Sequence, residues 1–375
     1  MFKTATLLVG VAAASSLLSG VLATSPCNGM QELCGLRYDQ VTYAATHNSG
    51  SKDLKYDCHT LAKSCKAGKF LCWGFEKGCN ILVPDAIERC LWDNQVRAID
   101  QQLSDGIRSF DIDTCQIDDG SVVNCHGAGN KRAIGGDIRQ TLQSVASWVN
   151  NNPNEIITLN FGDSDGDAAS MARYIQGGLQ DILGKWLFER SAGAPWPTLG
   201  ELIAKDKRVV VMFGSNLFNA GPKPAWLQHY DDIIEDPYFK VLADDDNPAR
   251  LEASYLQSWC LRDPKTFTKL QVIDATIAIV LPQLEADLRK LKFPTSVCSR
   301  DLAKSVNYGS LDRIADFCAQ KMGYIYRVRV DHEDASNVVA KVRELNGRNV
   351  KRFGKKGGKA VKPRVKGALG PHLVR

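Results

Sequence analysis

A parallel α/β fold with helices packed outside the sheet is predicted by three observations. Apolar runs of strand length alternate with amphipathic runs of helix length from residue 41 onward. Polar residues recur where those apolar runs stop, at His47-Asn48, 160–163, Ser215-Asn216 and Asp331-His332, which is where a (β/α)8 barrel keeps its active site. The glycine-rich phosphate turn that an open doubly wound sheet carries after its first strand is missing.

The elements follow in order. Val41 to Ala45 reads as a short buried strand ending at Thr46-His47-Asn48. Asn94 to Leu103 reads as a helix, with Val96, Ile99 and Leu103 at helical spacing. A glycine turn at Gly106 then leads into a strand, 107–115. Alternation puts Ile107, Ser109, Asp111 and Asp113 on one face and Arg108, Phe110 and Ile112 on the other, which assigns Arg108 to packing or an ion pair. Asp118-Asp119-Gly120 signals a turn, so 121–126 can pair back on that strand, with Cys115 and Cys125 flanking the turn as a local disulfide. Residues 136–150 form an amphipathic helix broken by Asn151-Asn152-Pro153-Asn154, and 155–161 a strand. After a loop at 162–167, helices are expected at 168–183 and 198–204, and a continuous apolar strand at 208–213. Residues 270–290 read as one or two helices interrupted at Pro282, followed by a helix at 311–322, a strand at 324–330 and a last helix at 335–345.

The first residues set the compartment. A basic Met1-Phe2-Lys3, an apolar stretch from Leu7 to Val21 and small residues at Val21-Leu22-Ala23 predict a cleaved signal peptide over 1–23, hence a secreted, extracellular protein. Twelve cysteines follow, an even count that suits up to six disulfides. Seven lie between 27 and 90, where the chain is rich in Gly and Lys, so 58–90 is expected to be a disulfide-stapled insertion in a domain spanning 24–347. No other segment is long and apolar enough to span a membrane, so the mature protein is expected to be soluble. The net charge of +5 is set by residues 348–375, which hold ten Lys/Arg and no acid; without those ten charges the body stands at −5. That tail is expected to be disordered and to suit contact with an anionic membrane or a polyanionic cell wall. No base-reading module accompanies it, so no specific nucleic-acid partner is expected, and the chain is read as a monomer.

Two carboxylates at i, i+2 on an inward strand face are costly without a positive partner. Asp111 and Asp113 have this spacing, His126 follows thirteen residues later in Cys125-His126-Gly127, and Thr46-His47-Asn48-Ser49 lies upstream. Two histidines and an acid pair make a candidate acid/base and metal site.

Together with 148–159, these motifs resemble the X domain of phosphatidylinositol-specific phospholipase C, and most nearly the secreted phospholipase-C-like phosphodiesterases of fungi and similar microbes. The likeness is good over 41–165 and patchy beyond, returning at 197–200, 208–213 and 325–331. It implies a distorted TIM barrel of the PLC-like phosphodiesterase type, here with a disulfide-rich insertion. It implies attack of an inositol hydroxyl on the adjacent phosphodiester, giving a cyclic phosphate and diacylglycerol. By this resemblance His47 and His126 are the catalytic histidines, with His126 the general acid. His47 is then the base of a metal-free version or a phosphoryl-stabilising group in a metal-dependent one, where Asp111 doubles as ligand and base. Metal-independent members carry arginine at the position of Asp113. Asn48, Asp111 and Asp113 follow the metal-dependent pattern instead, with Asn160 where the family places a fourth, glutamate ligand. Such oxygen donors suit Ca²⁺ or Mg²⁺. Asp163 stands near enough to replace the lost charge, and Asp163, Asp165 and Asp167 also imitate a calcium loop without its terminal Glu.

The substrate expected is a phospholipid or another phosphodiester. Glycerophosphodiesterase or phospholipase-D-like chemistry on the same barrel is the alternative enzyme reading, although those enzymes carry a Glu-x-Asp pair. A catalytically weak lipid- or wall-binding protein is the non-enzymatic one.

Overall fold

The computed structural model describes residues 25–60, 89–90, 92–129, 131–191, 193–237, 247–276 and 299–354. The expected signal peptide, most of the cysteine-rich insertion, the acidic run at 244–246 and residues 355–375 lie outside them.

Eight strands run parallel in one sheet. In spatial order they are β9 (Ile234–Glu235), β10 (Leu270–Ala275), β11 (Arg327–Val330), β1 (Tyr43–Thr46), β3 (Ser109–Gln116), β6 (Ile157–Asp165), β7 (Val209–Phe213) and β8 (Leu227–His229). Among the described residues no pairing joins β8 to β9, so the sheet is an open run of strands and not the closed ring that the sequence led us to expect. An antiparallel extension leaves β3: β4 (Val122–Ala128), β5 (Lys131–Asp137) and the short β2 (Lys55–Tyr56). The helices are α1 (Ile99–Asp105), α2 (Ile138–Asn151), α3 (Ala168–Leu183), α4 (Leu199–Ala204), α5 (Ser215–Ala220), α6 (Asn247–Gln257), α7 (Ser299–Gly309), α8 (Leu311–Met322) and α9 (Val338–Phe353).

Strand alternation explains the layers. On β7, Val209, Val211 and Phe213 join the core shared with α2 and α3, while Val210 and Met212 join a second core with Tyr43, Val272 and Tyr326. That second core fills the space under the N-terminal half of the sheet. Above it, on the same face, stand Asp111, Asn160, Asp274 and Arg329, all buried. The sheet therefore has an apolar floor and a polar upper storey.

The helices are placed by caps and apolar stripes. Asp137 caps α2 by accepting from the Arg139 N–H, and Ile138, Leu142, Val145 and Val149 are fully buried, each worth roughly 1.5–3 kcal/mol. Gly106 ends α1 with φ +111°, and a Cβ there would stand 2.7 Å from Val339. Three disulfides lie in the described part: Cys27–Cys34, Cys115–Cys125 and Cys260–Cys318. The second is the one expected at the β3–β4 turn.

Some element assignments needed correction. Residues 270–275 are strand β10 and not helix, because a short apolar run has no period that separates the two, and the rest of that span lies outside the described residues. The helix expected from Asn94 starts only at Ile99, since the Asn94 and Gln95 side chains are spent on the ends of β1 and β11. The last helix runs on to Phe353, taking in the first residues of the basic stretch.

Candidate active site

The site lies at the C-terminal ends of β1, β3, β6 and β11, with β4 on one side. The turn after β1 is tightly held. Thr46 Oγ1 donates to Gln102 Oε1 at 2.8 Å, the His47 N–H to the Val330 carbonyl at 3.0 Å, and the Ser49 N–H to the Asp111 carbonyl at 2.6 Å. Asn48 sits at φ +44°, a left-handed conformation that asparagine tolerates better than most residues.

Both histidines are anchored through Nδ1. His47 Nδ1 is 2.8 Å from Asp331 Oδ1, and the same oxygen accepts from Asn94 Nδ2 at 3.0 Å. His126 Nδ1 is 2.9 Å from the Trp92 carbonyl, so it carries the proton, and the ring meets the Trp92 indole edge-on. Nε2 of each ring is thereby left for chemistry. Burial alone would lower the His47 pKa, but the Asp331 charge and hydrogen bond outweigh it and lift it to about 9. Burial lowers the pKa of His126, and the neighbouring His47 charge lowers it further. Asp331 is pushed up by burial, but the His47 charge and hydrogen bond, together with His332 and His126, bring it below the usual carboxylate range.

One four-residue stretch serves both rings. Trp92 supplies the carbonyl for His126, and Asn94 binds Asp331. Gln95 donates to the His47 carbonyl at 2.8 Å and to the Val330 carbonyl at 3.2 Å, and its Oε1 accepts from the Glu333 N–H.

The acids have unlike surroundings. Asp111 is buried and both of its oxygens are engaged: Oδ1 accepts from Asn160 Nδ2 at 2.6 Å, and Oδ2 from Arg329 Nη1 at 2.8 Å. Asp111 and Asn160 are register partners on β3 and β6, and a Cβ at Gly162 would come within 3.0 Å of Asp111 Oδ1. Half-buried Asp113 has no hydrogen-bonded cation among the described residues. Burial first, then Asp111 and Asp163, raise its pKa well above the usual range. Asn48, with its amide nitrogen turned to Asp113, donates to Oδ1 at 3.0 Å.

The fit of these residues to a hard cation rests on two observations. Asp111, Asp113 and Asn160 offer oxygens, with Asn48 doing so once its amide turns from Asp113, and Asn160 Oδ1 is buried with no hydrogen-bond partner among the described residues. Asp113, crowded by like charge, is the carboxylate most in need of a cation. Among the described residues, however, no three His, Cys, Asp or Glu side chains are grouped as a ready-made metal cage, because Asp111 is turned to Arg329. The calcium-loop pattern at 163–167 does not form such a site. Asp165 accepts from Arg132 Nη1 and the Gly129 N–H, both at 2.9 Å, and Asp167 caps α3. His332 is buried and bonded to Ser299 Oγ at 2.9 Å. Arg108 pairs with Glu155 at 2.8 Å and lies over Trp148, as its strand parity predicts.

Two residues were missed as functional. Asp331 was legible as a polar residue at a strand end but had no role assigned. Arg329 was not singled out, although Arg327, Arg329 and Asp331 alternate with Val328 and Val330 along β11.

Comparison with known proteins gives the family and the fold. The PI-PLC X 1 family model matches residues 86–346. An uncharacterized secreted protein of Arthroderma benhamiae is 28% identical over 217 residues, covering 57% of this chain and 41% of that one. A PI-PLC X domain-containing protein 1 of the same fungus is 26% identical over 219 residues, 56% of this chain and 58% of its own. The match thus spans about half the length of these curated relatives. Among solved structures, the phosphatidylinositol-specific phospholipase C of Listeria monocytogenes superposes with TM-score 0.54 at 14% identity, over 84% of this chain and 97% of its own. A mutant of the Staphylococcus aureus phosphatidylinositol-specific phospholipase C gives 0.53 at 13%, with the same coverage of each chain. At such identities the likeness is one of fold. With the family model matched over more than half of its length, the chain belongs to the PI-PLC X family.

Proposed function

We propose that this chain is a secreted phosphoric diester hydrolase of the phospholipase C type, acting on a phosphoinositide or a related phosphodiester. In this reading its eight parallel strands, unpaired between β8 and β9 among the described residues, are a distorted, open (β/α)8 barrel with the site at their C-terminal ends. The observation that carries the reading is the pair of histidines, each fixed through Nδ1 and each within reach of the Asp331 charge. Ring closure onto phosphorus needs a base for the attacking hydroxyl and an acid for the leaving oxygen. His47 is the stronger base of the two when deprotonated, because Asp331 stabilises the imidazolium that forms. His126, whose burial makes it hold a proton weakly, is the stronger acid. Asp111 is a weaker candidate for the base than His47, since Arg329 and Asn160 both hydrogen-bond its charged form and a proton there would weaken them.

A divalent cation, Ca²⁺ or Mg²⁺, would be held by Asn48, Asp111, Asp113 and Asn160, and when bound would supply positive charge to the phosphoryl oxygens. The three disulfides and a relative named as secreted support an extracellular location. No described helix is long and apolar enough to cross a membrane.

The test is turnover of phosphatidylinositol vesicles followed by ³¹P NMR, with and without Ca²⁺. A cyclic phosphate product is expected, with a loss of ~10²–10⁴-fold in His126→Ala and a marked loss in excess EDTA. A non-cyclic product would move the reading to the glycerophosphodiesterase or phospholipase D type. Full activity in EDTA would remove the cation and leave the histidines. Tight binding to anionic lipid with no turnover across a panel of headgroups would refute an enzyme altogether.

A further inference from the structure

Arg329 is the centre of the polar storey. It projects from β11 between β1 and β10, and three carboxylates converge on its guanidinium. Nη1 meets Asp111 Oδ2 at 2.8 Å, Nη2 meets Asp274 Oδ2 at 2.6 Å and Asp236 Oδ2 at 2.9 Å, and Nε meets Asp274 Oδ1 at 3.1 Å. Asp274 is its register partner on β10, and Arg329 and Asp274 are both nearly inaccessible to solvent. A planar fork of fixed donors suits this role, and a lysine could not span the three acids. Because the fork is committed on several sides and buried, it is badly placed to reach a substrate phosphate.

We infer that Arg329 is a built-in counter-ion that takes Asp111 out of competition for a divalent cation, so that cation binding falls mainly on Asp113. This rests on the cation reading of the site proposed above. The geometry is specific to one oxygen pair. Asp111 Oδ2 faces a guanidinium, and Oδ1 faces an amide N–H with Gly162 pressed against it, whereas among the described residues Asp113 has only the Asn48 amide and a long 3.4 Å contact from the Asp163 N–H. A cation bound to Asp111 would sit beside Arg329 and be repelled by it; one bound to Asp113 would relieve repulsion among Asp111, Asp113 and Asp163. The unpartnered Asn160 Oδ1 is a neutral donor left over in the same cluster.

The experiment is calcium titration calorimetry on the full chain after chelator treatment, with terbium luminescence as a second binding probe. Asp113→Asn should weaken Ca²⁺ binding by ~30-fold or more, and Asp111→Asn by less than ~3-fold, because ligand charge sets affinity only where the charge is free. Arg329→Met should tighten binding by ~10-fold or more, and adding Asp111→Asn should remove most of that gain. Equal losses in Asp111→Asn and Asp113→Asn would overturn the inference. So would a folded Arg329→Met that binds no tighter, or a gain that survives the second substitution, which would assign it to Asp236 and Asp274. If Arg329→Met is unfolded by circular dichroism, the Asp111/Asp113 pair decides alone. Binding that is absent in the wild type and present in Arg329→Met would support Arg329 and sink the cation reading. Binding absent in both would sink the two together. The cyclic-phosphate assay of His126→Ala is untouched by either result.

Discussion

Replacing Asp331 by Asn tests what sets the chemistry of His47. The buried ring would on its own have a pKa below 6.5, and Asp331 lifts it to about 9. A rise of that size corresponds to about 3 kcal/mol of preference for the imidazolium. In Asp331→Asn the side chain keeps its size but loses the charge, and its amide can present N–H where the ring needs an acceptor. The His47 pKa should fall below 7, and kcat by ~10²–10⁴-fold, with KM changing less. Proton NMR of the His47 ring in the metal-free protein, assigned by comparison with His47→Gln, reads the pKa directly. Stability gives a second reading. A histidine whose pKa is raised on folding contributes stability that is complete below pH 6.5 and is lost as pH climbs through 9. The wild type should therefore lose more stability between pH 6 and 9.5 than Asp331→Asn does, by up to about 3 kcal/mol. A His47 pKa that stays near 9 in Asp331→Asn would refute the reasoning and move the source of the shift to Asp111.

Two further substitutions probe the frame of the site. Glu333 is pushed up to about 7 by burial, which outweighs the pull of Arg97, with Asp334 and Asp105 adding to the rise, and its Oε1 has no hydrogen-bond partner among the described residues. A carboxyl raised on folding costs stability as pH rises from its unfolded pKa through 7, so Glu333→Gln should stabilise the fold above pH 7 by ~1–2 kcal/mol, read by urea unfolding at pH 8, and change it little at pH 4.5. Removing the Cys115–Cys125 bridge, which closes a separation of 10 residues, should cost ~2–3 kcal/mol. Because the bridge ties β4 to β3 one residue before His126, the double Ser variant should also lose activity at temperatures where it is still folded.

How much of this was legible depends on how local the signal is. The alternation along β3 gave the correct faces for Asp111 and Arg108, and α3 and α8 have the bounds that their apolar stripes predicted. The motif around His47 and the Cys-His-Gly at 125–127 each lie within one turn or strand, so their chemistry can be read where it stands. The Arg329 cluster cannot. Its members come from β3, β10, β11 and the residue after β9, and only the parallel register of β10, β11 and β1 brings them to one level. Strand β10 itself was misread, which hid Asp274 as an inward residue. A signal for Arg329 did exist in the alternation of charged and Val residues from 327 to 331. The missing closure between β8 and β9 had none, because both strands are two or three residues long.

The stretch from Trp92 to Gln95 acts on the site as a ruler with two marks. His126 is referenced to the carbonyl at one end, while His47 and Asp331 are referenced to the side chains at the other. Those marks lie within four consecutive residues, so one short segment frames both rings. A shift of this segment would therefore act on His47 and His126 together. A substitution that displaces it is expected to disturb both histidines at once and not one alone.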